Sequence, residues 1–554
     1  MQSATIIITN ARLITMDKAK PFAEAMAISG NRILRVGGAA DVAEFTGPKT
    51  RVVNAKGATT IPGIIEGHVH LFPGVVDLDA LNINAFKGLQ AISDSVSQYR
   101  RSNPKLDVIV TIGATHEQFG AGIPITRQLL DQVVSDRPFL VGCFDHHTMW
   151  ANTKALEAAG IFHGRALPTG NEIVLDKNGV ATGELKEFSA FMPVLKLTAT
   201  GGRESLGLIT GEDPSPPATP AQRKADEVYM KRGIAFANSL GITSMHNMDG
   251  NWYTLELLHA LEQRGELNAR MEVPFHHKNY FDVARVDEAV VFRDKYQTDM
   301  LHSGRVKIFM DGVLETLTAL MLEDYPGFPG NKGAPLYTAE EFNAVATRAD
   351  GHGLQISVHA IGDGGVRRTL DGYEVAQRKN GKRDSRHRIE HIELIDPLDV
   401  PRLHQLGVVA SLQPIAGVGV PGNPHEPILS RVGDKLPYAY AWQTLRESGA
   451  AIAFSSDWPV SPLDPFLGIQ SAMTAVPLKP GCTNQQQSLM DSLHAFTLAG
   501  AYMEFMEDQK GMLKEGYLAD VAVLNANMEK LKPSEMAGVK PVITICDGRV
   551  VFET

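Results

Sequence analysis

From about residue 240 onward, short β-branched runs alternate with helical stretches in a regular rhythm. They are "ITSMHNM", "ARMEVPF", "RVKIFMDG", "LQISVHAIGD", "RIEHIEL", "VVASLQP" and "AIAFSSDWP". Their starts fall roughly 20 to 50 residues apart, near the 30 or more that a βαβ unit consumes. With the earlier run "TTIPGIIEGHVH" counted first, there are eight, and strands alternating with helices in this way point to a (β/α)8 TIM-like barrel of the α/β class. The intervening helices carry their own start and stop signals. "YTAEEFNAVATRADGHG" offers a capping box from Thr338 to Glu341 and a stop near Gly351, and the stretch from Thr219 begins with Pro220 at its first helical position.

Both chain ends read differently, as short strands with turn signals: "TIIITNARLITM" and "AMAISGNRILRVGG" at the start, "GYLADVAVLNANM" and "VITICDGRVVF" at the end. The expected organisation is a composite β-sandwich domain from residues 1–58 and 511–554 around a barrel spanning 59–510. Between His70 and about residue 235 lies more chain than one crossover requires. This stretch, about 75–235, is read as an insertion after the first barrel strand, and loops after strands line the active-site face, so it is expected to cap the site.

Composition narrows the function. The 554 residues are 44% hydrophobic and 21% charged, with a net charge of −10, so no basic stripe exists to neutralise phosphates, and nucleic acid and anionic membranes are not expected partners. Three cysteines, Cys143, Cys482 and Cys546, are too few and too scattered for a disulfide framework or a thiolate zinc site. A metal would have to be held by histidine, carboxylate or something less usual. The N-terminus lacks the charged and apolar regions of a signal peptide, and no apolar run approaches the roughly 18 residues of a membrane helix, so a cytoplasmic protein is expected.

In "PGIIEGHVH", His68 and His70 stand two apart, so a strand turns both to one face, where they can close on a single ion. Lys307 lies in the fourth run and shares a face with Phe309 and Asp311. His359 ends the fifth run, His391 the sixth and Asp457 the eighth. A lysine inside a strand is expensive to bury as a cation. Four histidines, an aspartate and a lysine at strand ends are hard to explain as packing.

The series "PGIIEGHVH", "VKIFMDG", "VHAIGD", "RIEHIEL", "SSDWPV" and the closing "KGMLKEGYLADVAVLN" resembles the amidohydrolase superfamily, and more closely its branch of N-substituted formamide deformylases, also called amidohydrolase family 3. The resemblance implies a metal centre, usually Zn2+, of one or two ions. His68 and His70 would bind the more buried metal, His359 and His391 the more exposed one, and Asp457 would approach the first. Lys307 would be a carboxylated, bridging lysine, although a single metal with unmodified Lys307 also fits the family. It implies a metal-dependent hydrolase of a non-peptide C–N bond in a small-molecule amide or N-formyl compound, and a homodimer. A bound metal lowers the pKa of water from about 15.7 toward about 7, and Asp457 would pass the water proton to the leaving nitrogen. The alternatives are hydrolysis of a cyclic amide, lactone or other ester, ring deamination, and a non-catalytic metal-binding regulator.

Further candidates concern substrate binding. In "FDHHTMWAN", His147 and Asn152 match a family segment that reaches the pocket; Glu187 in "TGELKEFSA" matches another such position. His246 ends the second strand, and Trp150 and Trp458, with Phe119, are apolar candidates for pocket walls. "GDGG" at 362–365 lacks both the Lys-Ser/Thr ending and the GxGxxG spacing of a phosphate loop. Where many relatives carry a histidine after "QP" on the seventh strand, Gln413 and Pro414 are followed here by Ile415 and Ala416, which withholds any transfer of their substrate preference.

Overall fold

The computed structural model describes residues 3–144, 147–167, 171–417 and 428–554. The chain forms two compact units, one of Met1–Leu71 with Lys231–Thr554 and the other of Phe72–Met230.

In the first unit the eight strand-like runs are strands in parallel register. Ile64–Val69 pairs with Ile242–Asn247, which pairs with Arg270–Glu272. The third run breaks at Val273 and Pro274 and resumes as Phe275–His276, which pairs with Arg305–Phe309. Gln355–Ala360, Arg388–His391, Val409–Leu412 and Ala451–Phe454 follow in order. Past Phe454 the chain returns to the first strand: Asp457 N donates to His68 O at 2.9 Å and His70 N to Trp458 O at 2.8 Å. Every residue of Ile64–Val69, Ile242–Asn247 and Gln355–Ala360 is buried, as expected of parallel strands covered on both faces. Alternation then sorts the side chains. Ile65, Val306, Ile308, Ile356, Val358 and Ile389 take one face and pack as core; Glu66, His68, Lys307, Ser357, His359 and Glu390 take the other.

The loop after Phe309 is fixed by one buried carboxylate. Asp311 accepts the backbone N–H groups of Leu320 (2.8 Å), Ile361 (3.0 Å) and Gly362 (3.0 Å). Burial nonetheless lifts its pKa to about 7. The glycines of "GDGG" serve this junction, because a Cβ on Gly362 would stand 2.1 Å from Leu320 O. Thr338 caps the helix Ala339–Gly351, its Oγ1 accepting Glu341 N while Glu341 Oε2 accepts Thr338 N. The helix Pro220–Ser239 starts at Pro220.

Strands from both ends of the chain share a sheet in this unit. Its order is Arg549–Glu553, Pro541–Cys546, Val521–Leu524, Thr59–Pro62, Arg12–Ile14 and Phe22–Ala23. A four-stranded sheet, Arg32–Gly37, Ala25–Ser29, Ile6–Thr9 and Arg51–Asn54, belongs to the same core, in which Ile8, Leu13 and Met26 join Val521, Val523 and Ile545.

The second unit has a six-stranded sheet of its own, ordered Glu172–Leu175, Ala181–Lys186, Thr148–Ala151, Phe139–Cys143, Ile109–Ala114 and Leu81–Asn82. One buried cluster gathers around Ile92, Phe139 and Trp150, and another around Leu140, Leu185 and Phe191. No helix among the described residues is long and apolar enough to cross a membrane.

Candidate metal centre

The carboxyl end of Ile64–Val69 meets the segment after Ala451–Phe454, and the backbone bonds between them bring three side chains together. His68 Nε2 lies 3.2 Å and His70 Nε2 3.4 Å from the same oxygen, Asp457 Oδ1. One ligand atom from each of the three residues lies within 4.8 Å of the other two, and both histidines are buried. Asp457 has a φ of 61°, a conformation that costs a non-glycine residue of order 1 kcal/mol and turns its carboxylate back toward the first strand. Its Oδ1 is buried and accepts no well-aligned hydrogen bond. Burial opposes its charge, yet His68 and His70 hold its pKa well below the usual carboxylate range.

Each histidine is braced from behind. His68 Nδ1 lies 2.8 Å from Glu390 Oε2, and His70 Nδ1 lies 2.6 Å from Asp249 Oδ1. An imidazole held at Nδ1 has its Nε2 free to face a cation, so the two carboxylates turn both Nε2 atoms toward the Asp457 oxygen. Glu390 also accepts from Ser357 Oγ at 2.6 Å and lies 2.9 Å from Arg388 Nε, and Arg388 with His68 holds its pKa well below normal against burial. Beneath them, Glu66 Oε1 accepts the N–H groups of His68 (3.2 Å) and Ser456 (2.8 Å), and burial pushes the Glu66 pKa up to about 8.

His391 and His359 stand beside this cluster. The His391 ring centroid is 5.0 Å from that of His68 and 4.5 Å from that of His359. His391 Nδ1 pairs with Gln413 Oε1 at 2.9 Å, and His359 Nε2 with Gly312 O at 3.2 Å. Positive φ at His391 (79°) and Ile392 (48°) breaks the strand alternation, so that Glu390 and its neighbour His391 both reach His68. Burial depresses both pKa values, that of His391 to about 3. Lys307 is fully buried; its Nζ has no hydrogen-bond partner and lies 4.9 Å from the Phe309 ring centroid. Burial lowers its pKa to about 8, with Glu390 and Asp457 pulling the other way.

Two imidazole nitrogens and a carboxylate oxygen suit a borderline divalent cation such as zinc. Bonds of about 2.0–2.2 Å put tetrahedral donors about 3.3–3.6 Å apart, and the two His–Asp separations here, 3.2 and 3.4 Å, lie at the short end of that range. The unpartnered Asp457 Oδ1 and Lys307 Nζ are the polar atoms such an ion would employ, so the residues fit the group. Among the described residues, the cluster of potential ligands comprises His68, His70 and Asp457.

The remaining candidates lie as follows. His246 is buried, with Nδ1 2.9 Å from Arg388 Nη1 and Nε2 3.2 Å from Glu504 Oε1. Trp458 packs on Phe236 with ring centroids 5.8 Å apart. In the second unit, Asn152 caps the helix Thr153–Ala158. Its Oδ1 accepts from Ala155 and Phe139 N–H, and its Nδ2 donates to Val134 and Arg137 carbonyls. Trp150 is buried against His116, Phe119 packs in the same cluster as Trp150, and His147 Nδ1 pairs with Glu187 at 3.0 Å. Sequence reasoning passed over Asp249 and Glu390, although Glu390 shares a face with Arg388 by simple alternation.

The first unit thus combines a mixed α/β arrangement of parallel strands with a His–His–Asp cluster at their carboxyl ends. The family model described as "Amidohydrolase family" matches residues 51–552, and the chain belongs to that family. It is 27% identical over 534 residues to Protein LONG AFTER FAR-RED 3 of Arabidopsis thaliana, covering 95% of this chain and 88% of that protein. It is 22% identical to the N-substituted formamide deformylase of Arthrobacter pascens, covering 100% and 99%. Among solved structures, an uncharacterised metal-dependent hydrolase from Pyrococcus horikoshii OT3 superposes with a TM-score of 0.72 at 22% identity, over 96% of this chain and 99% of that one.

Proposed function

We propose that this protein is a metal-dependent hydrolase that cleaves a non-peptide C–N bond of a small amide or N-formyl compound, in a (β/α)8 barrel. The observation that carries the reading is the convergence of His68 Nε2 and His70 Nε2 on one unpartnered oxygen of Asp457. His68, His70 and Asp457 would hold one divalent cation, zinc for preference, with His359 and His391 beside it for a second. Such a cation makes a coordinated water acidic enough to act as a nucleophile near neutral pH and polarises the carbonyl it faces.

The chain supplies the rest. Asp457, kept as a carboxylate by the two histidines, accepts a proton from the attacking water and returns it to the nitrogen, so the C–N bond breaks to give an acid and an amine. Burial brings Lys307 to about 8, so roughly a tenth of it at pH 7 is the neutral amine that combines with carbon dioxide, far more than for an exposed lysine; a carboxylated Lys307 would replace an unpartnered cation by a ligand. The formamide deformylase relative favours N-formyl substrates within this class, and the backbone bonds from Asp457 and Trp458 to the first strand support the barrel reading.

The test is metal content followed by assays on N-substituted formamides, amides and esters with and without chelator. Chelator should abolish turnover and zinc restore it, and Asp457→Asn should lower kcat by about 10²- to 10⁴-fold while the protein keeps metal. Chelator-insensitive turnover would sink the metal reading, near-parental turnover by Asp457→Asn would remove that residue as base, and a metal-loaded protein inert on every substrate would make it a binder.

A further inference from the structure

Resting on the metal-dependent reading above, the inference concerns Asp249, which lies outside the cluster of ligands. It sits in the turn "NMDGN" after Ile242–Asn247, and that turn is clamped from several sides. Met248 N donates to Val69 O at 2.8 Å, Asn247 Oδ1 accepts Leu71 N at 3.0 Å, and Asn247 Nδ2 donates to Asp249 O at 2.9 Å. Arg305, itself paired with Glu272, donates to Asn247 O at 3.2 Å. Gly250 allows Pro274 O to approach so closely that a Cβ would stand 1.9 Å from it. The outcome is a carboxylate 1% exposed, with Oδ1 2.6 Å from His70 Nδ1 and Oδ2 buried without any hydrogen bond.

The other bracing carboxylate differs in one respect. Glu390 is balanced by Arg388 at 2.9 Å and by Ser357, so its charge is largely spent before it reaches His68. Asp249 has no Lys or Arg in ion-pair contact among the described residues; Lys278 feels it only at longer range. A buried carboxylate whose one close partner is an imidazole is costly unless positive charge stands on the far side of that ring. We propose that Asp249 is the positioning residue that sets the metal affinity of the centre, by fixing the His70 tautomer and supplying uncompensated negative charge behind it, and that Glu390 acts on His68 in the same way but more weakly.

Zinc affinity, measured by chelator competition on the full chain, tests this together with the unfolding midpoint of the metal-free protein at about pH 10, where His70 carries no proton for Asp249 to hold. Asp249→Asn should raise the zinc Kd by about 10- to 100-fold and leave the metal-free midpoint unchanged or higher. Glu390→Gln should raise Kd less and lower the metal-free midpoint, because it strands Arg388. An Asp249→Asn protein that binds zinc as tightly as the parent overturns the proposal. So does one whose metal-free form is destabilised or fails to fold, since the carboxylate would then be holding the turn and not the ion. A parent chain that binds no zinc would instead defeat the metal-dependent reading itself.

Discussion

At the scale of single residues, His70 is the most informative group in the centre, because it stands between two carboxylates. Burial works against charge on its ring, yet Asp249 and Asp457 overcome it and raise its pKa to about 9. The sign follows directly. Below that pH the metal-free protein keeps a proton on His70 that any cation must displace, and the stability this proton confers is full below about 6.5 and lost as pH rises through 9. Zinc affinity should therefore rise about tenfold per pH unit between 7 and 9 and then level off. Chelator competition across that range checks it, and a flat profile would mean that His70 is already neutral. The candidate ligands His68, His70 and Asp457, which the structure brings together, stand out in the sequence as an HxH pair and an aspartate after "SS" at strand ends, while their roles and that of Lys307 come from the family resemblance. Asp249 was not, because its value depends on meeting an Nδ1 atom 179 residues away along the chain, which no local pattern reports.

At the scale of elements, β-branched runs spaced by helical stretches marked the eight parallel strands, since a strand buried on both faces carries apolar residues at nearly every position, and side-chain alternation then sorted their two faces. Alternation failed where the backbone leaves the β region. His391 shares the site with its neighbour Glu390 only because of its φ of 79°, and nothing in "RIEHIEL" signals that turn. Gly250 is a similar case with a measurable consequence. Its missing side chain lets the turn carrying Asp249 seat against Pro274 O. Gly250→Ala should cost about 1–3 kcal/mol, the usual range for forcing an extra carbon into a packed site, and should weaken zinc binding as well by shifting Asp249. Denaturant unfolding and the same zinc titration read both effects; parental values in both would show that the turn can yield without disturbing His70.

At the scale of the molecule, the second unit was expected as an insertion of about 75–235 after the first strand, but its sheet was not, because mixed parallel and antiparallel pairing within Leu81–Lys186 arises from contacts that short strand signals do not encode. The first unit is joined by buried charge as well as by apolar packing. Arg270, on the third parallel strand and 1% exposed, donates from Nε to Asp520 Oδ2 at 2.7 Å and from Nη2 to Asp520 Oδ1 at 3.1 Å and Asp547 Oδ1 at 3.0 Å. Both aspartates adjoin strands of the C-terminal sheet, so a fork of hydrogen bonds ties that sheet to the parallel strands that carry the candidate ligands. Removing one partner from such a pair strands a buried charge, and Asp520→Ala should lower the unfolding free energy by about 3–5 kcal/mol. Replacing both together, Arg270→Met with Asp520→Leu, removes the charge and its need for a partner at once, so the double variant should recover most of that loss. If unfolding measurements show the double variant no more stable than Asp520→Ala, the fork contributes through geometry that apolar packing cannot replace.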